Sequence, residues 1–335
     1  MLVTLWLTYK PTEIKELIML LRWNLITATL LFALLGCNQS AAQSDNPKEA
    51  VTGRWDITVS TPDGTYPSWL EIKKSGVSTL VGQYVGRVGS ARPVAEITYN
   101  GSDNTFRFSV PPQWVANGDD EQFEFRLEGD QLSGQTSDAH GNKYEWTAVR
   151  APELRRDGEP EWGEPIHLLQ DSGLEGWQVI GGESRWRVED GILINEKAGG
   201  NLITEQRYED FKLHAEFRYP EGSNSGIYLR GRYEVQLQDD YGGKPESHSI
   251  GGVYGFIDPS ENAARKAGEW QTYDITLRGR MITVTLNGVQ VICNREIPGI
   301  TGGALDSNEG EPGPIMLQGD HGPVEFRNIV ITPAK

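Results

Sequence analysis

Residues 224–240 read NSGIYLRGRYEVQLQDD and alternate between apolar and polar side chains on both sides of a short turn. If residues 230–232 form a three-residue loop, the flanking segments pair as antiparallel strands in which Tyr228 lies opposite Glu234. One face of the hairpin is then apolar, and a slip of one residue would bury the polar side chains instead. The register predicts these core residues: Ile227, Leu229, Tyr233, Val235 and Leu237.

The other face of this hairpin is polar and contains a gap. Gly226 lies opposite Gln236 on that face, and a glycine inside a strand often marks a place where another group approaches the backbone closely. We interpret the face either as the floor of a ligand site or as a solvated outer surface. Its predicted side chains are Asn224, Tyr228, Glu234, Gln236 and Gln238.

The remainder of the chain is also dominated by strand and turn patterns. Residues 51–150 contain about eight short alternating segments, which predicts a small antiparallel β-barrel or sandwich. Its opening Gly53-x-Trp55 is lipocalin-like, so Trp55 either lines a cavity for an apolar ligand or plugs one end of a barrel. Residues 151–165 are charged and Pro-rich, as in a linker, and residues 166–335 predict a larger two-sheet antiparallel sandwich.

The N-terminus has the features of an export signal. Residues 1–36 contain a basic and then an apolar stretch, with Met19 as the better start, and a lipobox-like LLGC follows at residues 34–37. We expect lipidation of Cys37, a flexible tether over residues 37–50, and an exported lipoprotein at the periplasmic face of the outer membrane or the cell surface. A short membrane anchor is the alternative.

Charge and cysteine content restrict the class of partner. The formal net charge of −16 disfavours nucleic acid, and the predicted lipid is the only contact expected with a membrane. With Cys37 lipidated, Cys293 has no partner for a disulfide, so apolar burial must stabilise the fold.

A family resemblance follows from motifs found in order along the second half of the chain. These are GLEGW at 173–177, WRVEDGIL at 186–193, the 224–240 hairpin, GGVYGF at 251–256, GEWQTYDITLRG at 268–279, LNGV at 286–289 and GPIMLQGDHGPVEFRNI at 313–329. Over about residues 160–335 the chain resembles the 3-keto-disaccharide hydrolases, also described as 3-keto-glucoside 1,2-lyases and hydratases. The resemblance implies an all-β, concanavalin-like jelly-roll fold and cleavage of 3-keto glycosides.

The polar face suits that chemistry better than ordinary glycoside hydrolysis. Two carboxyl groups are needed to hydrolyse an unactivated glycosidic bond, whereas alternate positions here carry Glu234 followed by the amides Gln236 and Gln238. A 3-ketone acidifies the hydrogen on C2, so one base and a stabilised enolate suffice. Candidate catalytic residues are Glu234, His321 and His248, and candidate substrate-binding residues are Asn224, Tyr228, Arg230, Gln236, Asp239, Tyr254 and Gln318.

Two functional hypotheses remain at this point. One is an enzyme that takes a saccharide oxidised at C3 by a partner oxidoreductase acting upstream; the other is a lectin-like binding protein on the same fold. No cofactor is certain, and a divalent metal is left open as the electrophile, although no His-x-x-x-His spacing occurs. Tyr228 and Tyr254 are the predicted aromatic platforms for a sugar ring.

Overall fold

The computed structural model describes residues 46–170 and 173–335, so the predicted signal sequence, Cys37 and most of the tether lie outside the described residues. The end of the predicted tether is ordered: Pro47–Ala50 form one helical turn, α1. Lys48 Nζ donates to Ser78 O at 3.0 Å, and Arg150 donates to the carbonyls of Ala50 and Thr52. The Lys48 side chain and the Ala50 carbonyl thus contact the barrel at the end of the predicted tether.

Eight strands form a closed barrel in which each strand pairs antiparallel with its neighbour in sequence and the last pairs with the first. Because β8 pairs with β1, this region is a barrel and not a sandwich, the other predicted architecture. The strands are β1 Gly53–Thr61, β2 Gly64–Ser75, β3 Thr79–Val85, β4 Arg92–Asn100, β5 Thr105–Val110, β6 Glu121–Glu128, β7 Gln131–Ser137 and β8 Lys143–Arg150.

Aromatic side chains fill the interior of the barrel. Phe108 stacks on Phe123 with ring centroids 4.4 Å apart, and other buried rings pack around this pair. Trp55 is fully buried, donates from Nε1 to Val51 O at 3.0 Å, and has the Arg150 guanidinium 4.1 Å from its ring centroid. Of the two interpretations of Trp55, the structure favours the plug.

Thirteen strands form the second region as two sheets. A five-stranded sheet has the order β10-β13-β20-β15-β16, and an eight-stranded sheet has the order β11-β12-β21-β14-β17-β18-β19 with β9 beside β21. The strands are β9 Ile166–His167, β10 Trp177–Ile180, β11 Trp186–Glu189, β12 Ile192–Asn195, β13 Asn201–Thr204, β14 Phe211–Arg218, β15 Asn224–Leu229, β16 Tyr233–Gln238, β17 Gln271–Arg278, β18 Met281–Leu286, β19 Val289–Glu296, β20 Met316–Leu317 and β21 Val324–Pro333.

The predicted hairpin and its register are confirmed. Tyr228 pairs with Glu234 and Gly226 with Gln236, while the predicted apolar set lies in the core shared by the two sheets. Arg230 and Gly231 have φ of 54° and 67°, so both turn residues are left-handed. Because this conformation reverses the chain within residues 230–232, both strands keep their polar side chains on one face.

The barrel and the sandwich belong to one compact unit, residues 47–335. Trp69 and Val85 of the barrel are buried in the sandwich core cluster, and the Trp69 ring contacts Phe256 edge-on with centroids 5.5 Å apart. The predicted linker runs along the sandwich, where Arg156 Nε donates to Asp210 Oδ2 at 2.9 Å. Across residues 46–170 and 173–335, no helix has the length and apolarity needed to cross a bilayer.

Candidate active site

The polar face of the five-stranded sheet arranges its side chains in two rows. Strand pairing places Met316, Tyr228 and Glu234 in one row. In the next, Gln318 N donates to Gly226 O at 2.9 Å, and Gly226 pairs with Gln236. The β15–β16 hairpin and the distant β20 segment therefore bring one carboxylic acid, one phenol and two amides together.

Glu234 lies at the centre of this arrangement and is only 3 % exposed. Tyr228 Oη is 2.8 Å from Glu234 Oε2, and the Thr301 hydroxyl accepts from Glu234 N at 3.0 Å. With the Gln236 amide oriented to satisfy its neighbours, Gln236 Nε2 donates to Glu234 Oε1 at 3.1 Å. The carboxyl group is therefore held in a polar environment rather than in hydrophobic packing.

The gap at Gly226 is occupied by the Glu234 side chain. A Cβ atom at Gly226 would lie 2.9 Å from Glu234 Cγ and 3.0 Å from its Cδ, closer than such atoms can pack. The group that approaches this glycine is thus the carboxyl group itself. Gly226 allows Glu234 to lean across the neighbouring strand.

The environment of Glu234 alters its protonation. Burial raises the pKa of Glu234 to about 8, although the hydrogen bond from Tyr228 and the positive charge of His321 oppose that rise. Burial and the Glu234 charge also raise the pKa of Tyr228 well above its ordinary value. Since Tyr228 Oη also lies 2.9 Å from Gly302 O, a protonated Glu234 can donate to Tyr228 while Tyr228 donates to Gly302.

His321 forms a second acid–base group at the same site. Its Nδ1 lies 2.7 Å from Asp320 Oδ1, and the imidazole is about half exposed, at 53 %. The hydrogen bond with Asp320 raises the pKa of His321, and the charge of Glu234 raises it further, while partial burial opposes both. Glu234 and His321 are thus close enough for each charge to affect the pKa of the other.

His248 and Tyr254 border the site from the loop after β16. Their rings meet edge-on with centroids 4.9 Å apart, and Tyr254 N donates to Glu234 O at 3.0 Å. Burial and the Glu234 charge raise the pKa of Tyr254. Tyr254 is half-buried and His248 is exposed, so both sit at the edge of the polar face.

The predicted amides form the other end of the face. Asn224 Nδ2 donates to Gln238 Oε1 at 2.6 Å, and in the preferred amide orientation of Gln236 it also donates to Gln236 Oε1 at 3.1 Å. Gln318 is 7 % exposed, and its Oε1 has no hydrogen-bond partner among the residues that the structure describes. A buried acceptor of this kind suits a ligand hydroxyl.

The structure contradicts the substrate-binding role predicted for Arg230 and the platform role predicted for Tyr228. It also gives Asp239 a structural contact. Arg230 is fully buried and donates to Gly279 O and Tyr233 Oη at 2.7 and 3.1 Å, away from Glu234. Tyr228 is 2 % exposed and thus cannot stack a sugar ring, because its phenol is packed beneath Gly302. Asp239 lies at the strand end, where its Oδ2 accepts from Gly222 N at 2.8 Å.

Other contributors were not identified from the sequence. Asp320 is adjacent to His321 in LQGDHGPVEF, and that adjacency was the available signal. Thr301 and Gly302 lie in a loop without regular structure, and no sequence motif indicated that this loop contributes to the site. Within the described parts of the chain, no group of three or more His, Cys, Asp or Glu side chains is placed to hold a metal ion.

Comparison with known proteins bears on the same region. The profile of the 3-keto-alpha-glucoside-1,2-lyase-like domain matches residues 164–332. The chain belongs to this family. The resemblance read from the sequence is thereby confirmed, and membership supports a carbohydrate-active enzyme in general terms without fixing substrate or mechanism.

Solved structures with a similar fold include a candidate glycosyl hydrolase from Parabacteroides distasonis, at 29 % identity and a TM-score of 0.42, covering 55 % of this chain and 96 % of that one. A carbohydrate-binding module from Bacillus subtilis aligns at 11 % identity with a TM-score of 0.33, covering 46 % of this chain and 93 % of that one. The endo-β-1,3(4)-glucanase SCLam aligns at 9 % identity with a TM-score of 0.34, covering 53 % of this chain and 95 % of that one. No curated protein matches. The barrel and the two sheets of this chain themselves confirm the predicted all-β class.

Proposed function

We propose that this family member cleaves the glycosidic bond of a 3-keto glycoside by removing the hydrogen on C2 and expelling the C1 substituent. The observation that carries the proposal is the buried Glu234 carboxyl group, held between Tyr228 and Gln236 beside His321. A base with a pKa near the working pH combines a usable ionised fraction with strong basicity. Burial gives Glu234 that property.

In the first step, ionised Glu234 takes the proton from C2, and the C–H electron pair forms an enolate with the C3 ketone. The negative charge then resides on the C3 oxygen, and hydrogen-bond donors that face this oxygen would stabilise it. Gln318 Oε1 offers an acceptor for a sugar hydroxyl, which orients the ring over the polar face.

In the second step, the enolate electrons form a C1=C2 double bond while the bond from C1 to the leaving oxygen breaks. That oxygen takes a proton from the His321 imidazolium, which Asp320 orients through its 2.7 Å hydrogen bond. The products are an unsaturated keto sugar and a free alcohol. Addition of water across C1=C2 turns the elimination into net hydrolysis.

The surrounding carboxylates favour elimination over a two-carboxylate glycosidase mechanism. Asp239 and Asp240 follow the strand, but Asp239 accepts from Gly222 N at 2.8 Å and Asp240 accepts from Ile250 N at 3.2 Å. Both therefore fix loop backbone. Asp320 is engaged by its hydrogen bond with His321, which leaves Glu234 as the available carboxyl group on the face among the described residues, and conventional hydrolysis requires a pair.

The test is turnover of 3-keto-trehalose and a 3-keto-β-glucoside, followed by chromatography of the released alcohol. Glu234→Gln and His321→Ala are expected to lower kcat/KM by about 10²–10⁴-fold, the usual contribution of a positioned acid or base. Glu145→Gln and His167→Ala are matched controls, because both residues are exposed and lie outside the site. Wild-type rates in Glu234→Gln would remove the proposed base.

The lectin-like alternative gives a different result in the same assay. It predicts measurable saccharide binding by calorimetry without product from any of the keto substrates. Chelator is expected to leave turnover unchanged, since no step uses a metal. A chelator-sensitive rate restored by a divalent ion would contradict the metal-free mechanism.

The place of the reaction is part of the proposal. We propose that Cys37 is lipidated and holds the protein at the outer membrane or cell surface, where a C3-oxidising oxidoreductase supplies the substrate. Cys37→Ser should abolish labelling by a fatty-acid analogue and release the protein from membranes. A membrane-bound Cys37→Ser variant would favour the anchor alternative.

A further inference from the structure

The barrel reaches the candidate active site through the loop between β3 and β4, residues 86–91. Gly303 N donates to Arg87 O at 2.9 Å, and a Cβ atom at Gly302 would lie 2.7 Å from Gly89 N. On the other side, a Cβ atom at Gly255 would lie 2.6 Å from Ser90 Cβ. The barrel loop thus packs against both loops that border Glu234.

Few groups separate this barrel loop from the carboxyl group. Gly302 O accepts from Tyr228 Oη at 2.9 Å, and Tyr228 Oη lies 2.8 Å from Glu234. Gly255 directly follows Tyr254, whose amide donates to Glu234 O at 3.0 Å. The barrel therefore forms the next layer outward from the polar face.

A second barrel loop, between β5 and β6, is fastened onto the first. Gln113 Oε1 accepts from Ser90 N at 3.1 Å, and Gln113 Nε2 donates to Ser90 Oγ at 2.9 Å. The adjacent Trp114 has its Nε1 2.9 Å from the position of a Cβ on Gly89. These contacts hold the indole beside the loop that packs on the site.

Two apolar side chains are exposed at this junction. Trp114 is 66 % exposed and Val88 is 58 % exposed, whereas Trp55, Trp69 and Trp146 of the same barrel are at most 2 % exposed. Two exposed apolar side chains on neighbouring loops form a patch of the kind that can mark a ligand-binding surface. The exposed indole is suited to the apolar face of a sugar ring.

We propose that Trp114 and Val88 form a subsite, supplied by the barrel, for a pyranose ring in the leaving half of the substrate. This inference rests on the proposed function, because the oxidised ring must lie over Glu234 for its C2 proton to be removed. The ring attached through C1 then extends outward, toward the layer that the barrel supplies. The barrel thereby selects substrates with a second sugar over those with a small aglycone.

The test compares two 3-keto substrates that differ in the leaving group, 3-keto-trehalose and methyl 3-keto-glucoside. Trp114→Ala is expected to lower kcat/KM about tenfold for the two-ring substrate, mainly through KM, and by less than about twofold for the methyl glycoside. Trp114→Phe should retain most of the preference. Val88→Ala should weaken it slightly, and its control Val149→Ala, an exposed barrel valine, should not.

Equal losses on both substrates, or none on the two-ring substrate, would overturn the subsite. Failure of the proposed function is distinguishable, because wild-type protein would then cleave neither substrate. In that case calorimetry with unoxidised trehalose decides. About tenfold weaker binding by Trp114→Ala than by the wild type supports the subsite. Equal binding by the two proteins, or no detectable binding by the wild type, contradicts it.

Discussion

Substitution of Gly226 by alanine tests the central geometry of the site. A Cβ at this position would lie 2.9 Å from Glu234 Cγ and 3.0 Å from Cδ. Glu234 is buried and hydrogen-bonded to Tyr228, so it must break that contact in order to move. We therefore expect Gly226→Ala to displace the proposed base and lower kcat/KM about 10²-fold or more.

The effect on stability is the sum of two opposing terms. Overpacking a filled interior costs about 1–3 kcal/mol, while replacing a strand glycine restricts the unfolded chain and returns about 0.4–1 kcal/mol. A net loss of about 0–2.6 kcal/mol in the free energy of unfolding follows. Each kcal/mol corresponds to roughly 2–4 °C in Tm for a large domain. Calorimetry and turnover measured on the same preparation provide both readouts.

A double variant identifies the source of the loss. In a Glu234→Ala background, the clashing atoms are absent, so Gly226→Ala should be neutral or slightly stabilising. The coupling energy between the two positions should then equal the overpacking term. A Gly226→Ala protein with wild-type Tm and kcat/KM would refute the placement of Glu234 over this glycine.

Three further predictions concern protonation. The kcat/KM of the wild type should follow a bell-shaped pH profile, because only ionised Glu234, whose pKa burial raises to about 8, accepts the proton and only protonated His321 donates one. A profile without an acid limb would exclude Glu234 as the base. Asp320→Asn removes the main cause of the raised pKa of His321, so the alkaline limb of the profile should move to lower pH, and an unmoved limb would exclude His321 as the acid. Burial and the charge of Glu309 raise the pKa of Asp56 to about 9, so folding favours the protonated form, and stability should decrease as pH rises from about 4, the unfolded value, through 9. Asp56→Asn should reduce that slope in urea titrations at several pH values, while the part due to the raised pKa of Glu234 should remain.

Much of the fold could be predicted from the sequence because the alternation of apolar and polar residues in a strand is a local signal. The 224–240 hairpin specified its own register, since any slip would have buried amides and a carboxylate. That register alone placed Glu234 opposite Tyr228 and Gln236 opposite Gly226. The barrel strands were equally visible, but closure of β8 on β1 is a long-range pairing that no local pattern reports.

The errors have a common physical origin. Arg230 looked available because charged turn residues are usually solvated, yet its Nη1 and Nη2 atoms donate inside the fold to the Tyr233 hydroxyl and to the carbonyls of Gly279 and Glu309. Tyr228 looked like a platform because its strand position faces away from the core. The loop that carries Gly302 covers it, and the position of such a loop depends on distant packing.

Gly299 and Gly302 lie where the barrel rests on the sandwich. A methyl group at Gly299 would lie 2.6 Å from Cδ1 of Trp69, and one at Gly302 would meet the backbone of Gly89. Neither glycine has a left-handed backbone conformation, so the jelly roll by itself has no need of them. Larger residues at both positions would therefore identify family members that evolved without this barrel, and paired glycines would indicate inheritance of the two regions together.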